Sequence, residues 1–191
     1  EDAPKTFKDL TDPKWKDKLA LANPLLSGSI LTVTADLSQR YGWDYFKALK
    51  ANGLKIEGGN TAVQNKLVTG EYFVGIIGEE NILKVASKGE PLKVVYATDG
   101  AVILPSPIAI FNSTQNPEAA KAVTDWWLSK EGQQAIVSKG WMHSVRDDAP
   151  PPQGAPDKSV ITKNSPMLDW AKFAKEAETV KETFRKTVME K

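Results

Sequence analysis

Two short runs of small and polar residues, Ser27-Gly28-Ser29 and Gly58-Gly59-Asn60-Thr61-Ala62, are the part of this chain best suited to hold a negative charge. The first follows the apolar stretch Leu19-Ala20-Leu21-Ala22, the second the strand-like Leu54-Lys55-Ile56, and each opens a segment with helical spacing. A helix start leaves about four backbone N–H groups without an acceptor and carries roughly half a positive charge. Glycine and serine there let a ligand come close, and hydroxyl and amide side chains add donors of their own. Two such starts side by side make a cradle for a phosphate or carboxylate. Ser27 and Asn60 also read as plain helix caps, each stabilising its helix by about 1 kcal/mol. The two roles are compatible.

Three further groups carry chemistry in principle. Glu79 follows the apolar run Phe73-Val74-Gly75-Ile76-Ile77 and suits the first turn of a helix, where its charge is favoured. Its neighbour Glu80 would point elsewhere from either a helix or a strand, so the pair does not flank one substrate. Asp99, in Thr98-Asp99-Gly100, offers a carboxylate, although Asp-Gly is first of all a turn signal. His143, the single histidine, has no matched Asp and Ser partners to form a catalytic set and reads as structural or exposed. There is no Gly-Lys-Ser/Thr phosphate loop, no cysteine and no second histidine. An enzyme would need one of those sets. The expectation is a binding protein with no cofactor and no metal site.

The elements that must position these groups alternate. Strands are predicted at 19–22, 54–56, 73–77 and 92–96, with helices from about Ile30, from Asn60 to Thr69 and over 79–87. Gly42 breaks the first helix, and Asn52-Gly53 stops its continuation. Strict alternation means βαβ units. The fold class is α/β, a mostly parallel sheet flanked by helices, with a C-terminal helical segment. Beyond Gly100 the texture changes. Residues 101–111 are apolar but interrupted by Pro105 and Pro107, which fits a connecting or edge strand. Helices are expected from Asn116, from Ser129 through Lys139, and over 166–191 after the proline-rich 149–156. At 191 residues, 41% hydrophobic and a net charge of +1, the chain can bury a core and offers no bulk attraction to nucleic acid.

Several motifs in register carry a family resemblance. These are Pro4-Lys5-Thr6-Phe7-Lys8-Asp9-Leu10-Thr11-Asp12-Pro13-Lys14-Trp15-Lys16, Ser27-Gly28-Ser29, Gly70-Glu71, and Val94-Val95-Tyr96-Ala97-Thr98-Asp99-Gly100. Asn116-Pro117-Glu118-Ala119-Ala120-Lys121, Leu128-Ser129-Lys130-Glu131-Gly132-Gln133 and Ser144-Val145-Arg146 complete them. In this order they resemble the periplasmic solute-binding proteins, type 2, that serve ferric-ion, phosphonate and sugar-phosphate ABC importers. The resemblance implies two lobes closing on a ligand, and a chain that lacks the opening part of lobe one. Residues 1–100 would be the second lobe, 101–148 the segment returning to lobe one, and 149–191 a proline-rich linker and C-terminal helix. It further implies a periplasmic or extracytoplasmic address, with a lipid anchor on the precursor as one form of it.

Carried over residue by residue, the resemblance gives Ser27, Gly28, Ser29, Asn60, Thr61 and Ala62 to an anion, with Glu79 and Asp99 as further ligand contacts. The partners it implies are a small anionic solute and the permease subunits of an importer. Ferric members carry a tyrosine pair where this chain has Ile77-Gly78-Glu79-Glu80, which favours a phosphate-bearing or other anionic organic solute. Two alternatives stay open: a ferric-iron receptor using a synergistic anion, and a surface interaction or scaffold domain. Without the missing part of lobe one, Trp126, Trp127, Trp141 and residues 101–111 would lose their cover, and dimerisation of the chain is expected.

Overall fold

Strand β1 (Leu19–Ala22) is apolar and buried at every position, which suits the centre of a sheet covered on both faces. β2 (Lys55–Glu57) and β3 (Val74–Ile76) flank it, both parallel to it, in the order β2-β1-β3. Leu21 stands level with Ile56 on one side and Ile76 on the other. The computed structural model describes residues 3–190. Parallel neighbours need crossover connections. Helices α1 (Gly28–Tyr41) and α2 (Trp43–Ala51) join β1 to β2, α3 (Asn60–Val68) joins β2 to β3, and α4 (Glu79–Ala86) follows β3. Gly42 separates α1 from α2 with a φ of 74°, a conformation that glycine adopts without a steric penalty.

The rest of the chain is helical or irregular. α5 (Pro117–Leu128) is followed by α6 (Lys130–Ala135), which widens into a π turn over Ile136–Gly140. The short α7 (Lys158–Thr162) comes after the proline-rich loop, and α8 (Trp170–Phe184) ends in a second π turn, Arg185–Met189. α8 returns to the first half of the molecule. Its Val180 packs with Leu31 and Ala35 of α1, and its fully buried Phe184 meets Phe46 of α2 edge to face, ring centres 5.7 Å apart. The C-terminal helix is thus part of the main core.

Three expectations are corrected here. Residues 92–96 and 101–111 form no strand. Pro91, Pro105 and Pro107 remove ladder donors, and β3 has no further neighbour, so Leu92, Val94, Val102 and Leu104 pack partly against the core as extended chain. The last helix starts at Trp170 instead of Pro166, because Asp169 caps it by accepting from the Lys172 N–H at 2.9 Å. By contrast Ser129 does cap a helix, accepting from the Gly132 N–H, and the helical path continues through Lys139 as the π turn.

One surface is unusually apolar. No residue of α5 is buried, although Val123 is 59% exposed and Trp126 and Trp127 are each 43% exposed. Phe111, at the end of the proline-flanked stretch, is 82% exposed. By contrast the α2–α8 contact is closed. Phe184→Ala should lower unfolding stability by about 3–5 kcal/mol, as expected for a fully buried phenylalanine, and urea denaturation would measure it.

Candidate functional site

Because β1, β2 and β3 are parallel, the loops leaving their carboxyl ends open on one edge of the sheet. Those loops hold Ser27, Asn60 and Glu79 respectively, and each delivers a helix start to that edge. Open parallel sheets bind ligands in this position. The sequence-predicted residues Ser27, Gly28, Ser29, Asn60, Thr61, Ala62 and Glu79 are therefore brought to one face.

The two anion-suited starts touch. Ser27 is the N-cap of α1, its Oγ accepting from the Ile30 N–H at 3.4 Å and lying 3.0 Å from Ser29 Oγ. Asn60 is not a cap. Gly59 takes that position in an extended conformation, which places Asn60 one residue inside α3 and frees its side chain. Asn60 Nδ2 then reaches Ser29 Oγ across the loops at 3.5 Å, while its Oδ1 is buried without a partner. The backbone amides of Gly28, Ser29, Thr61 and Ala62 lie in first turns, where a helix provides no acceptor. The result is a concentration of donors around a bridge between the two helices. Such a site suits an anion of tetrahedral or carboxylate shape.

Glu79 stands apart from Glu80, as adjacent carboxylates on a helix must. The Glu80 carboxylate curls back over Gly78, where a side chain would meet it at 2.4 Å, and accepts from Asn81 Nδ2 at 2.8 Å. Glu79 instead faces His143, with Oε1 3.3 Å from Nε2, close enough for an ion pair though not aligned as a hydrogen bond. The Tyr96 hydroxyl is buried beside it. Burial, and then the adjacent Glu79 carboxylate, push that hydroxyl above the usual tyrosine range. Sequence reasoning missed both partners of Glu79. Nothing in the spacing of residues 79, 96 and 143 signals that they meet. Among the described residues no group of three or more His, Cys, Asp or Glu side chains is placed to hold a metal ion.

Asp99 lies elsewhere. Its carboxylate accepts from the Phe7 N–H at 3.0 Å and from the Tyr41 hydroxyl at 2.7 Å, and Arg40 Nη1 donates to the Asp99 carbonyl at 2.9 Å. Tyr41 is the last residue of α1 and Ser27 caps its first turn, so about 20 Å of helix separates the two. Burial, reinforced by Asp99, raises the Tyr41 pKa to about 12, which keeps it a donor. The structure therefore gives Asp99 a fastening role and does not bring it to the Ser27–Asn60 edge.

The edge is supported from behind by Glu57, the last residue of β2. Its Oε1 accepts from Lys66 Nζ and from the Tyr72 hydroxyl, both at 2.8 Å, and Lys66 also holds Glu71 at 3.0 Å. Gly70-Glu71-Tyr72, a run already conspicuous in the sequence, thus ties the end of α3 to the strand that launches it.

The family model of the bacterial extracellular solute-binding proteins matches residues 1–176. The chain belongs to that family. Its members are substrate-binding proteins and not enzymes. The chain is 28% identical over 144 residues to an uncharacterized protein of Haemophilus influenzae, covering 73% of this chain and 42% of that protein. It is 27% identical over 165 residues to a putative 2-aminoethylphosphonate-binding periplasmic protein of Salmonella typhimurium, covering 78% and 47%. The fold superposes on the periplasmic binding protein AfuA from Actinobacillus pleuropneumoniae, solved with fructose-6-phosphate bound. That match has a TM-score of 0.77 at 25% identity and covers 99% of this chain and 61% of that one. The chain thus spans under half the length of the two curated relatives. No helix among the described residues is long and apolar enough to cross a membrane.

The Glu57 cluster makes a pH-dependent contribution to stability. The Lys66 ammonium and, after it, the Tyr72 hydroxyl hold the Glu57 carboxyl below its ordinary value. A carboxyl depressed in the folded state binds fewer protons there than in the unfolded chain, so its contribution is present above the ordinary carboxylate pKa and is lost as pH falls through the folded one. Glu57→Gln should cost about 1–2 kcal/mol at pH 7 and lose less stability than the parent on acidification to pH 3. Urea midpoints of both proteins at the two pH values check it.

Proposed function

We propose that this chain is the ligand-anchoring part of an ABC-importer solute receptor and that it captures a small anionic solute, a phosphate-bearing organic compound or similar. One observation carries the reading: the starts of α1 and α3 converge on the carboxyl edge of a parallel sheet and are bridged by Ser27, Ser29 and Asn60. The anion docks on the hydroxyls, the Asn60 amide and the first-turn N–H groups. Glu79, at the start of α4, faces the rest of the solute. Relatives named for a phosphonate and solved with a sugar phosphate favour the same class.

Capture proceeds by closure of a second lobe over this edge, a population shift driven by contacts from both sides. In this reading residues 1–100 form the inserted lobe, 101–148 return to the other lobe, and 149–191 are the linker and bracing helix. The exposed apolar face of α5 and residues 108–111 support the assignment, since they match a surface made to be covered. The receptor works outside the cytoplasm, tethered by a lipid on its precursor or free, and hands its solute to permease subunits.

In the full-length receptor, Ser27→Ala and Asn60→Ala should each weaken binding of 2-aminoethylphosphonate or fructose 6-phosphate about tenfold or more, because each removes a hydrogen bond to a charged group. Isothermal titration calorimetry reads the change, and unchanged affinities would overturn the site. The 191-residue chain alone should form dimers through α5, with Trp126→Glu restoring the monomer in size-exclusion chromatography with light scattering.

A further inference from the structure

Glu79 has more around it than an anion-binding site needs. It reaches His143 from a segment far along the chain, and that segment is held firmly. Gln133, almost fully buried in α6, accepts through Oε1 from the Ser144 hydroxyl at 2.9 Å and from the Val145 N–H at 3.0 Å. Ser144 Oγ in turn accepts from the Arg146 N–H at 2.9 Å. Just upstream, Trp141 adopts a left-handed backbone with a φ of 59°, which is rare for a bulky side chain and persists only where the surroundings impose it. It turns the chain out of the π turn and brings His143 to the start of α4.

The two cations beside His143 are already committed to neighbouring carboxylates. It lines a cavity of about 200 Å³ with Arg146, Asp147, Asp157 and Lys158. Arg146 Nε is held by Asp148 at 2.8 Å and Lys158 Nζ by Asp147 at 2.7 Å. The imidazole is what this segment offers to Glu79. Beside Glu79 also lies the buried hydroxyl of Tyr96, which has no aligned hydrogen bond. Buried polar groups left in that state call for an explanation. A carboxylate flanked by an imidazole and a phenol, on the edge that carries the anion cradle, can take a hydrogen-bond donor from a ligand while its neighbours fix its orientation.

Resting on the function proposed above, we infer that Glu79, Tyr96 and His143 form the second pole of the solute site. This pole selects solutes whose anionic group is joined to a hydroxyl or ammonium group. Glu79 accepts from that group, and His143 is the positioning residue that keeps Glu79 turned to the cleft.

The test uses the full-length receptor and three probes that share one anion: 2-aminoethylphosphonate, 2-hydroxyethylphosphonate and ethylphosphonate. Calorimetry should show the amino or the hydroxy compound binding about tenfold or more tighter than ethylphosphonate, the gain of one charged hydrogen bond, and which of the two is preferred names the donor. His143→Leu should reduce that preference several-fold, and circular dichroism matching the parent's shows that the variant is folded. His143→Gln, which keeps an N–H donor, should restore most of the preference. A preference unchanged in His143→Leu, or a parent protein that binds ethylphosphonate as tightly as its analogues, would overturn the second pole while leaving the anion cradle intact. If no probe binds the parent, or if Ser27→Ala leaves all three affinities unchanged, the anion site fails and this inference fails with it.

Discussion

Everything that this molecule offers a ligand depends on parallel pairing of three short strands. A parallel sheet sends each strand's exit to the same edge, and a helix then begins just beyond. With β1 buried at the centre and β2 and β3 on either side, the exits deliver Ser27, Asn60 and Glu79 within neighbouring loops. An antiparallel strand in any of the three places would send one of these groups to the far edge. The electrostatics follow from the topology: three helix starts give one face an excess of N–H groups and partial positive charge.

Serine, glycine and asparagine at that face do different work. Ser27 caps α1 and still lies beside Ser29, so the capping hydroxyl is also part of the polar pair at that edge. Gly59 takes over capping in α3, and the Asn60 amide is released to bridge across to Ser29. Whichever way that amide is turned, one polar atom meets Ser29 and the other is left over. Glu57 and its partners Lys66 and Tyr72 hold the end of β2 to α3 through charge-assisted bonds. The donors are thereby preorganised, and an arriving anion has little ordering left to impose.

The first half of this arrangement was legible in the residues. Apolar runs of four or five residues alternating with helical spacing identified β1, β2, β3 and α1 to α4 to within a residue or two, because local pattern and tertiary environment agree there. The failures have a common cause. Residues 92–96 and 101–111 look like strands by composition, yet a strand needs a partner, and partnering is not a local property. The contact of His143 with Glu79 was hidden for the same reason, since it is made with α4, more than fifty residues away in the chain. Gln133 and Ser144 appeared in two separate motifs. The structure shows them as one device, the buried amide of the first fastening the segment of the second. Gly132 belongs to it as well: a side chain there would meet the Trp126 carbonyl at 2.1 Å, so α5 and α6 can fold together only with glycine at that place.

Asp99 shows how the fold can take up a carboxylate that the sequence leaves looking available. A carboxylate on a Thr-Asp-Gly turn looks available, but the turn is where the chain passes the end of α1. Its carboxylate gathers the Phe7 N–H and the Tyr41 hydroxyl, Arg40 holds the carbonyls of Asp99 and Gly100, and the Thr98 N–H donates to the Lys5 carbonyl. Residues 5–7 and 98–100 are thus bound to each other and to one end of α1, while the opposite end of that helix carries Ser27. The Ser27 loop and the crossing of the two chain segments lie at the two ends of a single helix. A displacement of the crossing relative to the sheet must therefore reach the cradle through α1, whose buried face, from Ile30 to Leu37, is locked into the core. What the fold keeps fixed is the distance between the place where the chain passes and the place where a ligand would sit, and the Asp99 carboxylate spends its charge on that constraint.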